Sequence, residues 1–260
     1  MSNTDLDRRI ARVRSWIDES SAISVLTGAG ISTESGIPDF RGPQGLWTRN
    51  PEAEKLATLQ HYLSDAEARR RLWRISMDPG MLGMWQAKPN VGHLALVRLE
   101  QRHKLHTLIT QNVDGLHQAA GNSASRIVEI HGSMREFMCM SCEDRGPIEA
   151  VLERVRNGDD DPRCRRCGGI LKTRVVSFGQ NLFPGDVERA EAGALGCELM
   201  LAIGTTLAVY PAASLVPTAK RNGARVVILN GGPTEMDALA DELLHGPIGE
   251  ILPRLVGEPL

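Results

Sequence analysis

The 260-residue chain carries 30 Lys and Arg against 32 Asp and Glu, a formal charge of −2, with 42% hydrophobic and 24% charged residues. Such a balance suits one large globular domain, or a domain with an inserted module, and creates no global field toward nucleic acid or anionic membrane. No apolar run reaches membrane-span length, and the polar stretch from Met1 to Arg14 is no secretory signal, so a cytoplasmic location without membrane partners is expected.

In chain order, the first strand signal is the apolar run Ala22 to Leu26, which enters the turn Gly28-Ala29-Gly30. A strand running into a glycine-rich turn offers backbone N–H groups to a phosphate. The signal is incomplete, because Thr33 stands at the third glycine position of G-x-G-x-x-G. Residues 43–92 hold helical stretches such as Asp65–Ile75 and the Met- and Gly-rich Met77–Trp85, but no strand. Strands are expected at His106–Thr110, Arg126–Ile130, Val175–Phe178, Leu199–Ile203 and Arg225–Leu229, with helices at Ile148–Arg156, Val187–Ala194 and Ala212–Arg221. These strands alternate poorly, as strands covered on both faces do.

Strand and helix in alternation imply an α/β fold with a Rossmann-like parallel sheet. Residues 1–42, 93–132 and 176–260 form that domain; the insertions 43–92 (helical) and 133–175 (cysteine-bearing) form a small module. Neither insertion has a linker composition, so both are expected to pack on the main sheet. Ligands in such sheets bind beyond the carboxyl ends of the strands, where the loops at Gly28, Gln111, His131, Gly204 and Asn230 gather.

Four of the five cysteines fall in two C-x-x-C pairs, Cys139/Cys142 and Cys164/Cys167, with residues 143–163 between the pairs. Without an export signal, thiolate ligation is the better reading than disulfides, and the spacing matches a zinc ribbon. Four thiolates leave no open coordination position, so the one zinc is structural. Cys197 reads as a small buried hydrophobe. Arg163, Arg165 and Arg166 flank the second pair, but a ribbon without aromatic platforms has little on which to stack bases, so nucleic acid is disfavoured.

The remaining chemistry sits at strand ends. Gln111, Asn112 and Asp114 suit hydrogen bonds to a ribose and a carboxamide, while Asp114-Gly115 is equally good turn chemistry. His131, beside Gly132, is either a satisfied polar residue or a general base with a near-neutral pKa.

The string from Gly28 to Arg41, with Ser-Gly-Ile-Pro-Asp-Phe-Arg at its end, resembles the NAD-binding signature of the sirtuins, the Sir2 family of NAD-dependent protein deacylases, in its bacterial type. Thr110-Gln111-Asn112-Val113-Asp114-Gly115-Leu116-His117 resembles a second sirtuin motif at every position, and His131-Gly132 resembles the pair that carries the family's catalytic histidine. Val175-Val176-Ser177-Phe178-Gly179-Gln180-Asn181-Leu182, Gly204-Thr205-Thr206 and Asn230-Gly231-Gly232 extend the likeness over roughly residues 20–256.

The resemblance implies NAD-dependent deacylation of protein lysines, most simply deacetylation, releasing nicotinamide and O-acyl-ADP-ribose. It implies contacts to NAD from Gly28, Ala29, Gly30, Ser32, Asp39, Phe40, Arg41, Trp47, Gln111, Asn112, Val113 and Asp114. Further NAD contacts would come from Gly204, Thr205, Thr206, Asn230, Gly231, Gly232 and the backbone of Ile248. His131 would be the base, aided by Asn112 and Asp114, and His117 would orient structure. An extended acyl-lysine peptide would add to the edge at Val175, Val176, Phe178 and Gly179 by strand addition, with Phe178 and Val209 walling the acyl-lysine stem.

Three departures stand out. Gln180 replaces an acid, Thr173 a proline and Thr206 a serine. Sirtuins that remove acidic acyl groups carry Tyr-x-x-Arg in the helical insertion; this chain has Tyr62 followed by Asp65, which favours neutral acyl groups. Two alternatives use the same residues: mono-ADP-ribosyl transfer, and a non-catalytic NAD-sensing or nucleic-acid-binding zinc protein.

Overall fold

A computed structural model describes residues 3–39, 45, 58–77 and 86–257 of the chain. Six parallel strands form the main sheet: β1 (Ile23–Thr27), β2 (Leu105–Thr110), β3 (Ile127–Glu129), β7 (Leu199–Ile203), β8 (Arg225–Asn230) and β9 (Glu242–His245). Their order is β3-β2-β1-β7-β8-β9. The chain builds one half outward from β1 and the other outward from β7, so the topological switch lies between those two strands.

Both faces of this sheet are covered, which explains the missing polar alternation. On β7, Leu199, Leu201 and Ile203 enter one core with Ile10, Val13, Ile17, Leu96, Leu99 and Leu252. The alternate residues Met200 and Ala202 enter a second core with Ala190, Ala194, Leu215, Val216 and Ala219. The first face is therefore packed by helices Asn3–Glu19, Val91–Gln101 and Ile248–Val256, and the second by Pro184–Leu195 and Leu215–Arg221. No helix among the described residues is long and apolar enough to cross a membrane.

Two main-sheet elements escaped the sequence reading. In the first helix the core-facing residues are only Ile10, Val13 and Ile17, spaced at helical intervals among charges. In β9, Glu242 hides the strand signal, yet it is 5% exposed because Arg9 (3.3 Å) and Arg12 (2.8 Å) neutralise it from that first helix. A third strand expectation is corrected. The segment Val175–Phe178 does not form a strand; the ladder is β6, Leu171–Val175. Its partner β4 (Gly132–Cys139) begins opposite Val175, so beyond that residue only Val176 N–H continues the pairing, through the His131 carbonyl (2.8 Å).

β4 (Gly132–Cys139), β5 (Arg145–Pro147) and β6 make a small antiparallel sheet in the order β5-β4-β6. It has its own core of Trp73, Cys139, Ile148, Val151, Leu152, Cys164 and Leu171. The described helices of the first insertion, Leu59–Ser64 and Ala66–Ile75, pack on this small sheet, with Trp73 in its core. Tyr62 donates its hydroxyl to Leu171 O at 2.7 Å, and Arg69 grips Asp161 with two bonds of 2.9 Å. Tyr62 is thereby buried in the module, and Asp65 caps the second helix through Glu67 and Ala68 N–H.

The switch point requires two bare backbones. A β-carbon on Gly30 would lie 2.8 Å from Gly204 Cα and 2.9 Å from its oxygen, and Gly204 itself has φ +63°. Gly30→Ala is therefore expected to lower unfolding free energy by about 1–3 kcal/mol through overpacking against backbone. Urea denaturation measures this; an unchanged midpoint refutes the contact.

Candidate active site

At the carboxyl ends of the main-sheet strands lies an open cavity of about 1370 Å³. Its described walls bring together residues from all five loops expected there: Gly28, Gln111, His131, Gly204 and Asn230, with their neighbours. Ala29, Gly30, Asp39, Asn112 and Val113 line it, as do Thr205, Thr206, Gly231, Gly232 and Ile248. Val175, Val176, Phe178, Gly179 and Val209 form another wall. Phe40, Arg41 and Trp47 lie outside the described residues, as do residues 78–85 of the Met77–Trp85 stretch.

The glycine turn is built by close approach. Gly28 N–H donates to Ile203 O (3.0 Å) and Gly30 N–H to Gly204 O (2.9 Å), so those two donors are spent on β7 and the loop after it. The turn continues as a short 3-10 helix, Ala29–Ser35. Asn90, which the sequence reading passed over, pins that helix by donating to Ile31 O (2.8 Å) and Ser35 Oγ (3.0 Å). Its oxygen meanwhile caps the Val91–Gln101 helix through Gly92 and His93 N–H. An Asn before an apolar run was the available signal, an N-cap.

Ser32 and Asp114 are not on the cavity wall. Ser32 is buried, donates to Asp114 Oδ2 at 2.8 Å and accepts from Asn112 Nδ2 at 3.1 Å. Asp114 also accepts Leu116 N–H at 2.9 Å, the turn geometry weighed from sequence. Asn112 Nδ2 further reaches Gly28 O at 3.1 Å, so the amide ties the end of β2 to the end of β1. Gln111 Nε2 spans to Thr205 Oγ1 at 3.0 Å.

Two buried histidines lie beneath. His117 Nε2 meets Thr27 Oγ1 at 3.0 Å, and Thr27 in turn meets Thr110 at 2.9 Å. His93 Nδ1 accepts Asn90 N–H at 3.3 Å, so its proton sits on Nε2. The rings are 4.9 Å apart, and His93 Nε2 and His117 Nδ1 lack hydrogen-bond partners among the described residues. Burial pushes His93 down to about 4, against a weaker upward pull from Asp114. Burial, with His93 as neighbour, pushes His117 down to about 3.

His131 is different because it reaches the cavity. Its Nδ1 contacts Gln111 O at 3.1 Å; a carbonyl only accepts, so Nδ1 carries the proton and Nε2 keeps its lone pair. Burial lowers its pKa below the ordinary 6.5, partly opposed by that bond. Gly132 beside it has φ +78°, and a β-carbon there would lie 1.8 Å from Arg174 O.

In the small module the four sulfurs of Cys139, Cys142, Cys164 and Cys167 lie within 4.8 Å of one another. The Cys139–Cys167 and Cys142–Cys164 separations are 3.5 and 3.7 Å. A tetrahedron with Zn–S of about 2.3 Å has edges of about 3.8 Å, so the donor set and its size fit zinc.

A sequence model of the Sir2 family matches residues 28–211. The chain is 49% identical over 234 residues to an NAD-dependent protein deacetylase 2 of Streptomyces coelicolor, covering 90% of this chain and 96% of that one. It is 40% identical over 244 residues to an NAD-dependent protein deacetylase of Thermodesulfovibrio yellowstonii, covering 94% and 93%. Among solved structures, "Structural Basis for the Mechanism and Regulation of Sir2 Enzymes" superposes with TM-score 0.83 at 37% identity, covering 96% of this chain and 97% of that one. "Sir2-p53 peptide-NAD+" does so with TM-score 0.83 at 34% identity, covering 95% and 96%.

Two outcomes are expected. Cys164→Ser should lose bound zinc, read by elemental analysis, and lower the melting temperature; full zinc content would refute the site. The histidine pair should make the fold acid-sensitive. Both folded pKa values lie below the unfolded value near 6.5, so their stabilisation is complete above pH 6.5 and is lost as pH falls toward about 4 and about 3. Each contributes a slope of up to about 1.4 kcal/mol per pH unit, which His117→Gln should remove from its share of the stability–pH curve.

Proposed function

The chain belongs to the Sir2 family and is an NAD-dependent protein deacetylase, and we propose that His131 is the general base of that reaction, with Asn112 and Asp114 ordering the nucleotide site. NAD, when bound, would supply the ribose carbon that exchanges nicotinamide for the acyl oxygen and the hydroxyl that takes the acyl group, with water displacing the lysine nitrogen so that lysine and O-acyl-ADP-ribose leave.

The observation that carries the role of His131 is its fixed tautomer. With Nδ1 held by Gln111 O and burial keeping the ring neutral at pH 7, the basic Nε2 is the nitrogen left for the cavity. Asn112 holds the turn that fronts the nucleotide, and Asp114 acts through Ser32. This pre-set geometry supports a role for the pair in positioning.

The substrate is an acyl-lysine protein or peptide. The apolar wall of Val175, Val176, Phe178 and Val209 suits the acyl-lysine stem, and Phe178 remains 37% exposed where a peptide would lie. Among the described lining residues there is no Lys or Arg, while Glu34, Asp39 and Glu188 are present. That supports neutral acyl groups over acidic ones, on grounds other than Tyr62. The small module, 43–92 with 133–175, and the NAD domain, 1–42, 93–132 and 176–260, are a division supported by their separate cores. A cytoplasmic location fits four thiols gathered for a metal.

The test is mass spectrometry of an acetyl-lysine peptide with NAD. His131→Ala should slow deacetylation by about 10²–10⁴-fold. A base works unprotonated, so kcat/KM should fall as pH drops through the His131 pKa, with a midpoint below 6.5. An acid limb centred at or above 6.5, or an active His131→Ala, would overturn the assignment.

A further inference from the structure

We propose that Arg174 is a positioning residue for acyl-peptide binding, stapling the two ends of the 175–182 loop together and holding them against the His131-Gly132 strand end. The inference rests on the reading above, that this loop receives the peptide.

The loop leaves the small sheet at Val175 and ends at Phe183, where the helix Pro184–Leu195 begins. Arg174 precedes it, and its side chain reaches the far end. Nη2 pairs with Asp186 Oδ2 at 2.7 Å, in the helix's first turn, and both side chains are largely buried at 13% and 17% exposure. The guanidinium carbon lies 4.2 Å from the centre of the Phe183 ring. That ring also packs toward Gly132, where a β-carbon would lie 3.3 Å from Phe183 Cε2. The Phe183 ring therefore contacts both the guanidinium and the surroundings of the glycine that follows His131.

Among the described residues the loop is held at several points, Leu182 packing against the second main core near its far end. Its described backbone ties are Val176 N–H to His131 O (2.8 Å), Leu59 N–H to Phe178 O (2.9 Å) and a turn closed within the loop. In that turn Gln180 N–H donates to Ser177 O (2.9 Å), while Gln180 Oε1 accepts Ser177 N–H (3.2 Å). Lys172 Nζ caps the Val175 carbonyl at the loop's start. The near end is thus held by backbone as well as by Lys172, and the contacts of Arg174 with Phe183 and Asp186 reach as a clamp from that end to the other.

Arg174 does not touch the large cavity. It lines a separate polar cavity of about 280 Å³ on the outer side, with Asp186, Glu136 and Arg189. Arg174 therefore acts on the peptide through the loop. A loosened loop must be ordered when peptide binds, and that cost falls on binding, while His131 and Asn112 keep their own supports.

Steady-state kinetics with acetyl-lysine peptide and NAD varied separately test this. Arg174→Met should raise the peptide KM about tenfold, equivalent to ~1.4 kcal/mol, with the NAD KM and kcat at saturating peptide within about twofold. Asp186→Asn should shift the peptide KM the same way. Arg174→Lys keeps the charge but loses the planar stack, and should fall between. Phe178→Ala reports on the underlying reading by raising the peptide KM. An unchanged peptide KM in Arg174→Met, with a raised one in Phe178→Ala, overturns the clamp alone. Unchanged values in both overturn the loop as peptide site, and the clamp with it. A matched fall in kcat for both substrates with a lowered melting temperature, in Arg174→Met and Asp186→Asn alike, also overturns the clamp and makes Arg174 a fold residue.

Discussion

At the topological switch the backbones of Gly30 and Gly204 touch with no side chain between them, and the crevice depends on that contact. It joins the turn after β1 to the turn after β7, the two loops from which the strand order diverges. The N–H groups of Gly28 and Gly30 are spent on that junction, and what the bare Cα atoms supply there is close approach. Asn90, Asn112 and Glu34 then tie the turn to three other elements. Glu34 accepts Gly249 N–H at 2.9 Å and so reaches the helix at Ile248. A ligand crevice at a strand-end junction needs walls that stay fixed when emptied of ligand, and these bonds supply them.

Beneath the crevice the polar groups are held neutral or matched, which suits a reaction that develops charge. The His117–Thr27–Thr110–Asn112 chain passes from buried ring to hydroxyls to the backbone of the amide that braces the site. The Asp114 carboxylate is matched to Ser32 and a backbone N–H. Groups pre-oriented in this way need not reorganise when charge appears at the reacting atoms. His131, His93 and His117 are all kept neutral by burial, but their roles separate by access. Only His131 reaches the cavity among these three.

What could be read from sequence followed from how locally each feature is encoded. The C-x-x-C pairs, the glycine turn and the strand ends at Gln111, His131 and Gly204 are short strings whose chemistry and place coincide, and the structure gathers them. Features that depend on a distant partner were missed. β9 is a strand because Arg9 and Arg12, more than two hundred residues away, neutralise Glu242. The inward turn of the Ser32 hydroxyl to Asp114 and Asn112, across some eighty residues of sequence, is likewise not encoded locally. The Val175–Phe178 strand failed for the same reason, since its length was set by where β4 begins.

The small module connects the metal site to the crevice through one ladder. β4 and β6 run antiparallel, with Cys139 opposite Leu171 at one end and Gly132 opposite Val175 at the other. A strand of eight residues spans about 25 Å, so the thiolates sit far from the chemistry. Yet they anchor the strand whose first residue follows His131 and the strand whose last residue opens the 175–182 segment. The register shifts between Ser133 and Phe137, and there Met134 N–H turns to Val113 O (3.1 Å) on the cavity wall. That irregularity fastens the middle of the connection to the main domain. A tetrathiolate metal with no open position can therefore influence the crevice only through placement, by fixing the far ends of the two strands whose near ends adjoin His131 and residues 175–182.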